Sequence, residues 1–241
     1  MLRALSFSLL TVAFAAALPA QARDAAPASP RTTPESTGYE RTSTLADVQR
    51  FLDACVGLSH GDRLGISVAG KSHEGRPLLL VKCALPGRGD DSNRLRALII
   101  GNIHAGEVEG KEALQQLARE FASGEHDAIL EHCDVWLLPV YNPDGNEQLD
   151  VRHRPGQNGP ARTGQRPNGQ GFDLNRDFVK AEAPETRALL TLFGSVDPHL
   201  FMDLHTTNGS YHGYHLTYAP SLSTNMDPEL ADLSRTLLDD V

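Results

Sequence analysis

Residues 96–107 read Arg96-Ala97-Leu98-Ile99-Ile100-Gly101-Asn102-Ile103-His104-Ala105-Gly106-Glu107. The run through Gly101 is short, apolar and rich in Leu and Ile. That is the pattern of a strand buried on both faces. A helical pattern follows to about residue 122, with Leu114, Leu117, Ala118 and Phe121 on one face. His104 and Glu107 stand between the two. An H-x-x-E pair on such a turn can aim an imidazole and a carboxylate at one point above a sheet. In open α/β sheets, sites form at the carboxyl ends of strands.

Working outward, strands and helices keep alternating. A helix is expected over 44–55, with Leu45, Val48, Phe51 and Leu52 on one face and Ser43 or Thr44 as its cap. Segments 65–69 and 77–84 read as a hairpin around the turn Ser72-His73-Glu74-Gly75. Downstream, a strand over 135–140 ends at Tyr141-Asn142-Pro143-Asp144-Gly145. Residues 146–172 are polar and rich in Gly and Pro, a length of irregular chain that compact domains keep for a purpose. A helix over 185–193, strands over 199–204 and 214–218, and a helix over 230–238 complete the pattern. The alternation predicts one α/β domain over 42–241, with a central mixed, mostly parallel sheet flanked by helices.

The ends and the bulk properties narrow the class. Arg3 precedes an apolar stretch over 5–18, and Ala20-Gln21-Ala22 offers a small-x-small cleavage site. This predicts a signal peptide over 1–22 and export to a periplasmic or extracellular space. The alternative is a membrane anchor, but the run is short for a span. Residues 23–41, rich in Ala, Pro, Ser and Thr, are expected to be a disordered lead-in. The chain has 241 residues and a net charge of −9, which argues against nucleic acid and anionic membrane surfaces as partners. The three cysteines, Cys55, Cys83 and Cys133, allow one disulfide or three buried thiols; no C-x-x-C pair supports a thiolate metal site.

Catalytic zinc takes three protein ligands and leaves one position open. His104 and Glu107 offer two. His205, delivered by Leu200-Phe201-Met202-Asp203-Leu204, is either a satisfied core residue or the third. His212 and His215 follow closely as alternatives. Four blocks stand in order: Asn102-Ile103-His104-Ala105-Gly106-Glu107, Asn142-Pro143-Asp144-Gly145, Asp173-Leu174-Asn175-Arg176 and Asp203-Leu204-His205. Together they resemble the zinc carboxypeptidases of carboxypeptidase A type, and the resemblance runs from about residue 41 onward.

The resemblance implies an eight-stranded mixed sheet, one zinc ion on His104, Glu107 and His205, and a peptide substrate with a free C-terminus. It implies that Asp173 orients His104, and that Asn175 and Arg176 hold the terminal carboxylate, which an arginine fork suits. An arginine after the Asn-Pro-Asp-Gly block should polarise the scissile carbonyl. Arg152, Arg154 and Arg162 compete, and Arg154 is preferred by its distance along the chain. Where the family often carries an arginine before the ligand glutamate, Gly106 stands. The family's general base, a glutamate, and its closing tyrosine come late. Glu229 sits at a helix start, a setting that favours acidic residues for the helix dipole. The base is therefore expected beyond Val241, in a longer enzyme or missing from a shortened inactive relative. Deacylases of the aspartoacylase and succinylglutamate desuccinylase kind share the H-x-x-E and the later His, and remain the alternative activity.

Overall fold

Residues Leu78, Leu80, Leu79, Val81 and Cys83 decide how the layers form. They belong to strand β2, Pro77–Cys83, whose buried positions are nearly continuous. Even-numbered Leu78 and Leu80 enter one core, while Leu79, Val81 and Cys83 enter another. A strand with both faces buried needs a helical layer on each side. The computed structural model, which describes residues 29–59, 62–87, 94–207, 213 and 226–239, supplies both. Helices α2, Leu45–Leu58, and α3, Val108–Ser123, bring Val48, Phe51, Leu52, Leu114, Ala118 and Phe121 to the first core. Helix α6, Pro184–Val196, brings Leu189, Leu192 and Val196 to the second.

Five strands are paired among the described residues: β1, Leu64–Lys71, then β2, β3, Leu95–Gly101, β4, Cys133–Leu138, and β5, Leu200–Leu204. Their order is β1-β2-β4-β3-β5. β1 and β2 form the expected antiparallel hairpin, and β2 pairs antiparallel with β4. β3 runs parallel to both β4 and β5. The sheet is thus mixed, with the parallel pairs confined to the half that carries the site. The carboxyl ends of β3, β4 and β5 share one edge, and His104, the Asn142 block and His205 all follow there.

One expectation is corrected. Residues 29–41 are not a disordered lead-in. Thr32 caps helix α1, Thr33–Thr37, in a reciprocal capping box with Glu35. Glu35 also forms a two-pronged pair with Arg119 of α3, at 2.7 and 2.8 Å. The Arg119 hydrogen bond holds the Glu35 carboxyl down at about 2, against the upward push of burial. Composition pointed to disorder, but the capping spacing and a partner 84 residues away decide the outcome.

Two short helices were also not foreseen: α4, Asp127–Leu130, and α5, Pro143–Glu147. The last helix, α7, spans Pro228–Asp239. The expected signal peptide, His60, His212, His215 and the strand over 214–218 lie outside the described residues. The three cysteines are unpaired, with Cys55 and Cys83 fully buried. No helix among the described residues is long and apolar enough to cross a membrane.

Candidate metal centre

Strand β3 ends at Gly101, and Asn102 then adopts a left-handed conformation, φ 64°. Asparagine tolerates this region better than most residues. Its Nδ2 donates to Ala105 O at 3.2 Å and to Glu107 O at 3.1 Å. The turn that carries His104 is therefore closed on itself from its first residue. Asn142, which follows β4 and caps α5, supports it: its Nδ2 donates to Ile103 O at 3.3 Å, while its Oδ1 accepts from Gly145 N at 2.9 Å.

The rest of that block is structural as well. Buried Asp144 accepts from Ser72 Oγ at 2.6 Å, Glu74 N at 2.9 Å and Arg76 Nη1 at 2.7 Å, fastening the β1–β2 turn. Asn146, the residue after the block, accepts from the buried Lys111 Nζ at 2.6 Å, which also donates to Ser43 O at 2.6 Å. The Asn-Pro-Asp-Gly block thus braces the site rather than entering it.

Glu107 stands at the N-cap position of α3 but makes no cap hydrogen bond with its side chain. Its two oxygens are committed elsewhere. Oε1 lies 2.9 Å from His104 Nδ1 and accepts from Arg154 Nη2 at 2.6 Å. Oε2 accepts from Thr206 N at 2.8 Å. Burial pushes this carboxyl up, but the hydrogen bonds from His104, Thr206 and Arg154 together hold it below its usual value. His104 turns its Nε2 to Asp173 Oδ1, 3.0 Å away. Arg166 holds the other Asp173 oxygen, with Nε at 3.0 Å, and brings Nη1 within 3.3 Å of His104 Nδ1.

His205 completes the group. Its ring meets the His104 ring edge-on, with centroids 5.0 Å apart. Nδ1 is 3.1 Å from Asp203 Oδ2, and Nε2 is 3.2 Å from Asn175 Nδ2. Asp203 raises the His205 pKa against the opposing pull of burial. One donor atom from each of His104, Glu107 and His205 falls within 4.8 Å of the others.

Two imidazoles and a carboxylate are the donor chemistry of a hydrolytic zinc site. A carboxylate behind the first histidine is its usual companion. The residues present therefore fit the group.

The sequence-predicted residues converge unequally. His104, Glu107, His205 and Asp173 form one contact group, and Asn175 joins it through His205. Arg176 lies next to them, its Nη1 on Asn175 O at 2.9 Å and its side chain exposed. Arg154 enters the site, but its side chain is 8% exposed and turned onto Glu107. Arg152 stays on the surface with Asp150, and Arg162 caps Leu149 O. Arg166 also enters the site, on Asp173 and His104. Its position seven residues before Asp173 gave no signal by itself, and its role appears only when the loop folds back. Thr206 acts through a backbone N–H, which no side-chain motif can announce.

The family model for zinc carboxypeptidases matches residues 49–240. Carboxypeptidase D of Mus musculus is 33% identical over 157 residues, covering 50% of this chain and 11% of that protein. Carboxypeptidase 2 of Trichophyton tonsurans is 30% identical over 140 residues, covering 56% of this chain and 23% of that protein. The chain thus spans less than a quarter of the length of these curated relatives. Among solved structures, a metallo-carboxypeptidase from Pseudomonas aeruginosa aligns with a TM-score of 0.53 at 26% identity, over 72% of this chain and 42% of that one. Thrombin activatable fibrinolysis inhibitor aligns with a TM-score of 0.59 at 18% identity, over 86% of this chain and 59% of that one.

Proposed function

This chain belongs to the zinc carboxypeptidase family, and on that premise we propose that the whole protein is a zinc-dependent exopeptidase removing C-terminal residues from peptides. The observation that carries the reading is the convergence of His104, Glu107 and His205 within 4.8 Å, with Asp173 behind the first. When bound there, zinc supplies Lewis-acid polarisation of a carbonyl and a more acidic water. The chain's own residues do the rest. Asp173 fixes the His104 ring by its Nε2, so that Nδ1 faces the shared point. Thr206 N–H and Arg154 hold the two Glu107 oxygens apart in fixed directions.

Substrate recognition falls to the open side. Asn175 and Arg176 are proposed to bind the terminal carboxylate, since Asn175 lies beside His205 and Arg176, hydrogen-bonded to Asn175 O, is exposed. Arg166, 42% exposed in its side chain, is better placed than buried Arg154 to meet the scissile carbonyl. Glu229 lies in the first turn of α7 with its N–H on Asp227 Oδ1, a capping setting, and is not proposed as the base.

The full-length gene product tests this reading with a peptide and its C-terminal amide, each with and without chelator. Only the free acid should be cleaved, and only without chelator. Arg176→Ala should raise KM for the free acid by roughly 10–100-fold, with a smaller effect on kcat, as loss of a charge-assisted pair implies. Equal release from the amide would remove the exopeptidase assignment; preference for N-acyl amino acids would move it to the deacylases.

Export is proposed on the pattern of residues 1–22. Sequencing the mature N-terminus should show cleavage near Ala22 and protein outside the cytoplasm. An intact Met1 on exported or cytoplasmic protein would refute it.

A further inference from the structure

We propose that Arg154 is the resident counter-cation of this centre: it neutralises Glu107 when no metal is held, and it competes with metal for the same carboxylate oxygen. The proposal rests on the metal-site reading above. Four observations lead to it.

The Glu107 side chain is 3% exposed, so its charge needs a partner inside the protein. Arg154 Nη2 supplies one at 2.6 Å, and it does so on Oε1, the oxygen that also faces His104 Nδ1. Any cation drawn to that oxygen arrives beside a guanidinium, and like charges at such range repel.

Position 106 is shaped for this pairing. A side chain there would bring its Cβ within 2.7 Å of Arg154 Cγ, 2.8 Å of Arg154 Nε and 2.9 Å of Gly164 O. Gly106 is the lane through which Arg154, 47 residues after Glu107 in the chain, reaches the carboxylate. A guanidinium from the long irregular segment crosses the space beside Gly106.

Orientation of Glu107 does not depend on Arg154 alone. Thr206 N–H holds Oε2 independently, at 2.8 Å. Removing the guanidinium therefore takes away a competing charge and leaves the carboxylate aimed. The metal-free protein should lose stability while zinc affinity rises. A purely structural arginine would lower both together.

The experiment uses the full-length protein with Arg154→Ala, Arg154→Gln and Arg154→Lys. Zinc dissociation constants come from competition with a chromophoric chelator, and melting temperatures are measured on metal-free samples. Arg154→Ala and Arg154→Gln should bind zinc roughly tenfold or more tightly than the parent. Their metal-free Tm should fall by roughly 5 °C or more. Arg154→Lys, which keeps a cation, should stay within about threefold of the parent. If Arg154→Ala does not fold, Arg154→Gln decides. Zinc affinity unchanged or weakened in the neutral variants would overturn the proposal. A parent that binds no zinc would instead overturn the metal reading, and this proposal with it.

Discussion

His104→Ala in the full-length protein should lower zinc affinity by at least about a thousandfold and abolish peptide hydrolysis, because a three-ligand site loses one third of its protein donors. The fold should survive. Asp173 keeps Arg166 and the Asn175 N–H, and Glu107 keeps Arg154 and the Thr206 N–H. Asp173→Asn gives the contrast. It touches His104 but lies outside the three-donor group, so its cost should be roughly 10–100-fold in affinity, the range for groups that orient a ligand. Isothermal titration of both variants measures the gap. Stoichiometric, undiminished zinc binding by His104→Ala would rule out the proposed ligand set.

The second large effect lies in a glycine. Gly110 sits in the first turns of α3, where an added Cβ would be 2.7 Å from both Leu204 Cβ and Leu204 O. At Gly101 the same addition would meet Gly110 C at 3.0 Å. The end of β3, the start of α3 and the end of β5 thus converge with no space for a methyl group. Gly110→Ala should destabilise by about 1–3 kcal/mol through overpacking, although alanine favours helix. It should also push β5 outward, and His205 with it, so zinc affinity falls together with stability. Gly194→Ala, at an exposed position of α6, is the control. Nothing lies within 4 Å of its added Cβ, so it should stabilise by about 0.5–1 kcal/mol. Thermal melts of the pair should move in opposite directions; equal shifts would refute the packing argument.

These two substitutions mark what the sequence does and does not disclose. Periodicity is enough for the hairpin, the buried β3 and the helices α2, α3 and α6, because each buries a repeating face; α7 forms where expected, but its Leu230, Leu233 and Leu237 are exposed. The ordered blocks single out His104, Glu107, His205 and Asp173, which the fold brings into one contact group, because donor chemistry sits in side chains. What stayed hidden are relations between distant parts. Gly110 looks like a weak helix residue until Leu204 is laid across it. Thr206 contributes an N–H that any residue but proline could supply. Arg154 was preferred by chain distance alone, which says nothing of which way its guanidinium turns. Residues 29–41 were misread because composition ignores the partner that Glu35 finds in Arg119.

The parallel pairing of β3 with β5 has a further consequence, for the order of events in folding. The β1–β2 hairpin closes over a six-residue register gap from Lys71 to Pro77, whereas Asp173 meets His104 across 69 residues and Thr206 meets Glu107 across 99. Closing loops of that length spends chain entropy before any contact repays it. The centre is therefore among the least local parts of this molecule. Chain entropy alone would complete it after the local hairpin and helix α3.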